Sequence, residues 1–370
     1  MHHYHKLQEK LDSHPVGAPR SEEFLEILKI LFRSDEVELA TLLDFKLQKA
    51  SDVAKKAGIE PDEALRKLEA MADRGSVLAK TVDGEYAYAL LPNYPGLFEY
   101  PVMKGLDEPT RDRLAQLWHA YYMKDMAAEL ASADPPWNRI FPAETAISAE
   151  IEILPYEVAS RMMEKSEVIA VADCPCRILG RNCEKPLDVC LCFDGAARFL
   201  AERGMAKIIA LGEAREALKR SEEAGLVHTG SNNAEKLLFM CNCCPCCCHL
   251  LMMITKHNRT EALAKSSYRA EFDVESCIGC GICEERCPMG AFHMHEDVVD
   301  YDASKCIGCG LCVSTCPTDA IALVKHDDYI PPPANLNELV TKIAEKKRKR
   351  EPEAYISRRF YRCLYGPSAY

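Results

Sequence analysis

A doubled run of cysteines constrains this chain more than any other feature. Cys277-Ile278-Gly279-Cys280-Gly281-Ile282-Cys283 followed by Cys287-Pro288 recurs as Cys306-Ile307-Gly308-Cys309-Gly310-Leu311-Cys312 followed by Cys316-Pro317. The flanks repeat too: Asp273 and Asp302 each lie four residues before the first cysteine, and Ala291 and Ala320 each four after the last. A C-x2-C-x2-C loop brings three thiolates toward one point, so the repeat marks a pair of metal-binding loops. A single zinc ion takes four ligands and has no use for such doubled symmetry.

A cubane iron-sulfur cluster needs four thiolates converging from nearly tetrahedral directions, and each loop supplies three. The segment closely resembles bacterial two-cluster ferredoxins, in which the cysteine before proline ligates the other cluster. That resemblance, over about residues 268–326, implies two [4Fe-4S] clusters. One would sit on Cys277, Cys280, Cys283 and Cys316, the other on Cys306, Cys309, Cys312 and Cys287. Gly279, Gly281, Gly308 and Gly310 are expected to let the backbone turn tightly and aim amides at sulfur.

The chain has 370 residues and 20 cysteines. Disulfide frameworks of that density belong to short secreted chains, and the opening MHHYHKLQEKLDSHP lacks the apolar core of an export signal. The expectation is a cytoplasmic protein with reduced thiols. A net charge of -11 argues against nonspecific attraction to nucleic acid or anionic membrane. The apolar stretch between Lys236 and Lys256 has nearly the length of a membrane span, but Asn242, Pro245 and His249 interrupt it, so no span is expected.

A second cysteine constellation lies upstream. Cys174-Pro175-Cys176-Arg177, Cys183, Cys190 and Cys192 precede a run in which Cys241, Cys243, Cys244, Cys246, Cys247 and Cys248 crowd six thiols into eight residues. The preferred reading is at least one additional iron-sulfur cluster, with Cys174, Cys176, Cys183, Cys190, Cys241, Cys243, Cys244, Cys246, Cys247 and Cys248 as candidate ligands. Zinc and reactive thiols are the alternatives. A helix after Pro245 would put Cys244 and Cys248 on one face, and Cys243 and Cys247 on another. Arg177 is read as a counter-charge to an anionic cluster, as a holder of an anionic substrate or as half of a surface ion pair, His249 as a packed histidine, and Cys363 as noncoordinating.

The remaining pattern predicts an α+β multidomain chain. Residues 1–100 read as helices, including one capped by Ser21 and one opened by Pro61, followed by a hairpin turning at Asp83-Gly84. Three helices and a two-stranded wing resemble a winged-helix domain. The Pro61–Arg74 segment is rich in Asp and Glu, so partner or domain docking is favoured there over DNA. Residues 101–145 read as a helical connector, 146–269 as a cysteine-rich α/β domain, 270–326 as the 2[4Fe-4S] ferredoxin domain, and 327–370 as a tail with a basic helix. In that order the chain is similar to a group of 4Fe-4S binding proteins of anaerobic bacteria, with Cys192 standing outside the shared pattern.

These readings point to an iron-sulfur electron-transfer protein, or the electron-transfer subunit of an anaerobic oxidoreductase, working with a redox partner protein. The alternative is a redox-sensing winged-helix transcription regulator, which rests on the N-terminal fold alone. No catalytic residue is assigned.

Overall fold

The computed structural model describes residues 2–82, 84–148, 155–296, 298–326 and 329–347. The chain opens with α1 (His2–Asp12), α2 (Glu22–Leu31) and α3 (Val37–Leu42). Ser21 caps α2 by accepting from the Phe24 amide at 3.0 Å, and the helix buries Phe24, Leu25, Ile27, Leu28 and Leu31. After the short β1 (Gln48–Lys49) come α4 (Ala50–Ala57) and α5 (Pro61–Asp73), the latter opened by its proline and closed before Gly75. Strands β2 (Val77–Val82) and β3 (Glu85–Leu90) form an antiparallel hairpin whose last pair is Val82 with Glu85, and β1 joins its edge. Asp83, expected in the turn, lies outside the described residues.

The connector is helical only in part. Helices α6 (Tyr100–Lys104), α7 (Glu108–Tyr121) and α8 (Ala127–Ala131) lead to β4 (Asn138–Phe141). Leu114, Leu117, Trp118 and Tyr121 of α7 are core residues, Trp118 packing on Phe24, Phe98 and Tyr122. Strand β4 belongs to the central sheet, so that layer begins inside the segment read as connector.

The central layer continues with α9 (Ala159–Met163), β5 (Ile169–Asp173), α10 (Pro175–Gly180), β6 (Asp188–Phe193) and α11 (Asp194–Glu202). Then come β7 (Lys207–Ile209), α12 (Leu211–Glu223), β8 (Val227–Ser231), β9 (Phe239–Cys243) and α13 (His249–His257). The six strands run in the order β4-β8-β9-β6-β5-β7. Alternating strands and helices suggested an α/β layer, yet every neighbouring pair in this sheet is antiparallel. The crossover from β6 through α11 to β7 leaps over β5, which inserts between them. Strand β7 lies at the edge, with Ile208 57% exposed.

The doubled cysteine module follows. Its outer strands β10 (Tyr268–Phe272) and β13 (Ile321–Lys325) pair antiparallel around α14 (Ile282–Arg286) and the hairpin of β11 (Phe292–His295) and β12 (Val298–Tyr301). Helix α15 (Leu336–Lys346), capped by Asn335, buries Leu336, Leu339, Val340 and Ile343. The first residues of the basic run are not simply solvated: Lys347 pairs with Glu129 at 3.0 Å with its side chain 3% exposed, and Lys346 pairs with Asp134 at 3.4 Å. Arg348, Lys349, Arg350 and Cys363 lie outside the described residues. Among the described residues no helix is long and apolar enough to cross a membrane; the stretch from Lys236 to Lys256 is divided among β9, a turn and α13.

Candidate metal centres

The two repeats of the C-terminal module exchange backbone bonds. The Asp273 amide donates to the Ala320 carbonyl at 2.8 Å, and the Asp302 amide donates to the Ala291 carbonyl at 2.8 Å. Each aspartate also caps the turn entering its cysteine loop, Asp273 accepting from the Glu275 amide and Asp302 from the Ser304 amide, both at 3.0 Å. The repeated Asp and Ala flanks are therefore the joints of a two-fold arrangement.

That exchange interleaves the cysteines. A cavity of about 20 Å³ is lined by Cys277, Cys280, Cys283 and Cys316. A second, also about 20 Å³, is lined by Cys287, Cys306, Cys309 and Cys312. Amides approach the sulfurs: Gly279 to Cys277 and Ala270 to Cys306 at 3.4 Å, and Ala291 to Cys287 at 3.2 Å. Burial pushes the Cys309 thiol up to about 12. At Cys316 burial acts the same way, but amides of Thr318, Ala320 and Ile321 and the Thr318 hydroxyl outweigh it and hold the thiol below its usual value. Four thiols around each amide-rimmed hollow fit the donor set of a [4Fe-4S] cluster.

The two hollows differ in exposure. Ile278 beside the first is 67% exposed and Cys280 is exposed, whereas Ile307 and Leu311 beside the second are 4% and 1% exposed. The second loop is docked on the central layer, with the Ala143 amide donating to the Cys309 carbonyl at 2.9 Å and the Ser266 hydroxyl to the Gly308 carbonyl at 2.7 Å. Gly308 has φ +70, and a Cβ there would overlap the Tyr268 carbonyl and the Ser266 hydroxyl. Arg286 adds bonds to the carbonyls of Glu222 and Glu223 at 2.6 and 2.9 Å.

The ten candidate cysteines of the central layer divide into two groups. Six of them, Cys174, Cys176, Cys190, Cys241, Cys243 and Cys248, line a cavity of about 40 Å³, twice that of either ferredoxin hollow. Cys174 caps α10 at the end of β5, Cys190 lies on β6, Cys241 and Cys243 lie two apart on β9, and Cys248 caps α13. The neighbouring thiols and burial raise the Cys176, Cys241 and Cys243 thiols well above their ordinary value. Cys192, two residues after Cys190 on β6, is buried but does not line the cavity.

The walls hold residues the motif analysis did not find: Tyr94, Phe98, Glu99 and Tyr122. They come from a distant, ordinary-looking segment, and no spacing rule signals them. Burial raises the Glu99 carboxyl to about 8, although the Gly96 amide donates to it at 2.6 Å. His249 is indeed packed, stacked on Tyr122 at 4.7 Å, and burial lowers it to about 4. Arg177 is not a surface ion pair. It is 3% exposed, its Nη1 donates to the Asn242 carbonyl at 2.9 Å, and its Nε and Nη2 have no partner. A buried guanidinium with unmet donors beside six thiols fits an anionic occupant.

The other four, Cys183, Cys244, Cys246 and Cys247, have sulfurs all within 4.8 Å of one another. The expected face-sharing pairs are therefore split, Cys244 from Cys248 and Cys243 from Cys247. The chain after Pro245 makes a turn and becomes helical only at His249.

Residues 276–320 match a family model described as a 4Fe-4S dicluster domain. This part of the chain is a ferredoxin-like iron-sulfur domain, and through it the chain binds [4Fe-4S]. Comparisons with curated proteins and with solved structures returned no match.

Proposed function

We propose that the chain is an iron-sulfur electron-transfer protein or the electron-transfer subunit of an oxidoreductase. Cys277, Cys280, Cys283 and Cys316 hold one [4Fe-4S] cluster and Cys306, Cys309, Cys312 and Cys287 a second, while thiols of the six-cysteine cavity hold at least one further cluster. When bound, such clusters supply one-electron transfer. The observation that carries this reading is the interleaving of both repeats around two matched four-cysteine hollows. The exposed edge at Ile278 and Cys280 suits a redox partner protein, and the docked loop at Ile307 to Gly310 ties the module to the central layer. Potentiometric reduction of the anaerobically purified full chain, followed by low-temperature EPR, tests it. Reversible signals from more than one cluster are expected, and a chain that accepts no electron reversibly overturns the reading.

The N-terminal helices and hairpin support a winged-helix-like docking domain. Glu69 and Asp73 of α5 accept from Arg203, just past α11, at 2.8 and 2.6 Å, so this acidic face is engaged within the chain. The regulator reading predicts salt-sensitive DNA binding that changes with redox state, and its absence in both states removes that reading.

A further inference from the structure

We propose that Cys183, Cys244, Cys246 and Cys247 bind a single Zn²⁺ in a closed tetrathiolate site, separate from the six-thiol cavity. Among the described residues this is the one group of three or more Cys, His, Asp or Glu side chains whose ligand atoms all lie within 4.8 Å of one another. The separations within it are short: Cys183 to Cys244 is 3.8 Å, and Cys183 to Cys247 and Cys246 to Cys247 are both 3.9 Å. Four sulfurs placed about 2.3 Å from one tetrahedral ion stand about 3.8 Å from each other. A cubane attaches each thiolate to a different iron and spreads them farther apart. The spacing therefore selects one ion over a cluster.

Burial and the second layer agree with a structural site. Cys244 and Cys247 are each 1% exposed and Cys183 and Cys246 are partly buried, and four thiolates fill the coordination of a tetrahedral ion. The Asn182 side chain donates to the Cys246 carbonyl at 2.7 Å, fastening the loop after α10 to the turn after β9. Arg177 Nη1, 4.0 Å from the Cys244 sulfur, offsets part of the net negative charge of a Zn(Cys)₄ unit. Thiolate sites hold Zn²⁺ more tightly than Fe²⁺. The two segments that carry the tetrad also present Cys174, Cys176, Cys243 and Cys248 to the separate cavity.

The test uses the full chain, purified without oxygen, with metal analysis and zinc-edge X-ray absorption. About one zinc per chain is expected, with a first shell of four sulfurs at about 2.3 Å. Cys246→Ser should lose that zinc and leave iron and acid-labile sulfide unchanged. A wild-type chain without zinc, or a zinc shell containing nitrogen or oxygen, overturns the proposal whatever the variant does. So does a Cys246→Ser chain that loses about four iron and four sulfide together, which would place a cubane there. The zinc count is independent of the iron and sulfide counts, so failure here is distinguishable from failure of the electron-transfer reading.

Discussion

The Nη1 of Arg177 lies 4.0 Å from the sulfur of Cys244, which puts one buried guanidinium between two cysteine groups. It lines the six-thiol cavity on one side and touches the tetrad on the other. Replacing it with the shorter, uncharged side chain of glutamine removes the positive charge beside the cavity's thiols. Arg177→Gln is expected to shift the reduction midpoint of the central centre to more negative values by tens of millivolts, because cluster potentials respond to nearby charge. An EPR-monitored redox titration checks this, and the ferredoxin signals serve as the unshifted internal control.

The interleaved repeats predict which cysteines act together. Cys287→Ala should cost about four irons from the site built on the second loop, not the first. Combined with Cys309→Ala it should cost no more, since both face the same hollow. Combined with Cys280→Ala it should cost about eight. Iron and sulfide assays on the three variants separate the shared-site result from a local-loop arrangement, in which the outcomes would be reversed.

Gly308→Ala should be among the most damaging single-methyl changes in the chain. The position has φ +70, and the added carbon would overlap the backbone of Tyr268 and the side chain of Ser266, with no flexible neighbour to yield. A loss of about 3 kcal/mol or more is expected, against about 1 kcal/mol for Gly58→Ala, where only the left-handed conformation is penalised. Gly58 has φ +65 with nothing within 4 Å, which makes it the control. Anaerobic thermal unfolding of the two variants measures the contrast.

Glu222 makes stability depend on pH. Burial alone would raise its carboxyl, but the hydrogen bond and charge of His228, with bonds from the Thr145 hydroxyl and the Glu144 amide, outweigh burial and hold it below its ordinary value of 4.5. A carboxyl depressed in the folded state contributes stability that is fully present above its unfolded value and lost as pH falls through the folded one. Glu222→Gln should therefore cost about 1 to 3 kcal/mol at neutral pH. The difference from wild type should narrow as pH drops below about 4.5, the unfolded value. Hydrogen exchange of β8 across that range provides the readout, and a difference that stays constant with pH would contradict it.

How far the sequence could be read depended on whether a feature was local. Ser21, Pro61 and the cysteine loops act within a few residues of themselves, and their caps and turns stand where the sequence places them. The Asp and Ala flanks of the repeat were visible as a pattern, but their purpose, bonding one half to the other, needed the pairing of β10 with β13. Three things were out of reach. The insertion of β5 between β6 and β7 leaves no local mark, so an alternation typical of parallel layers folds antiparallel. The division of the crowded cysteines depends on a turn that sends Cys244, Cys246 and Cys247 one way and Cys243 and Cys248 the other. Glu99 and Tyr122 reach the cavity only through tertiary packing of segments that precede the central cysteines by 50 residues or more.

The most direct test of the central claim is the iron and acid-labile sulfide content of the full chain, purified without oxygen. Two ferredoxin-type cubes alone require about eight of each, and a cluster in the six-thiol cavity raises the count further. A chain with at least that content bears out the account; one that holds far fewer, in a folded and oxygen-free preparation, contradicts it.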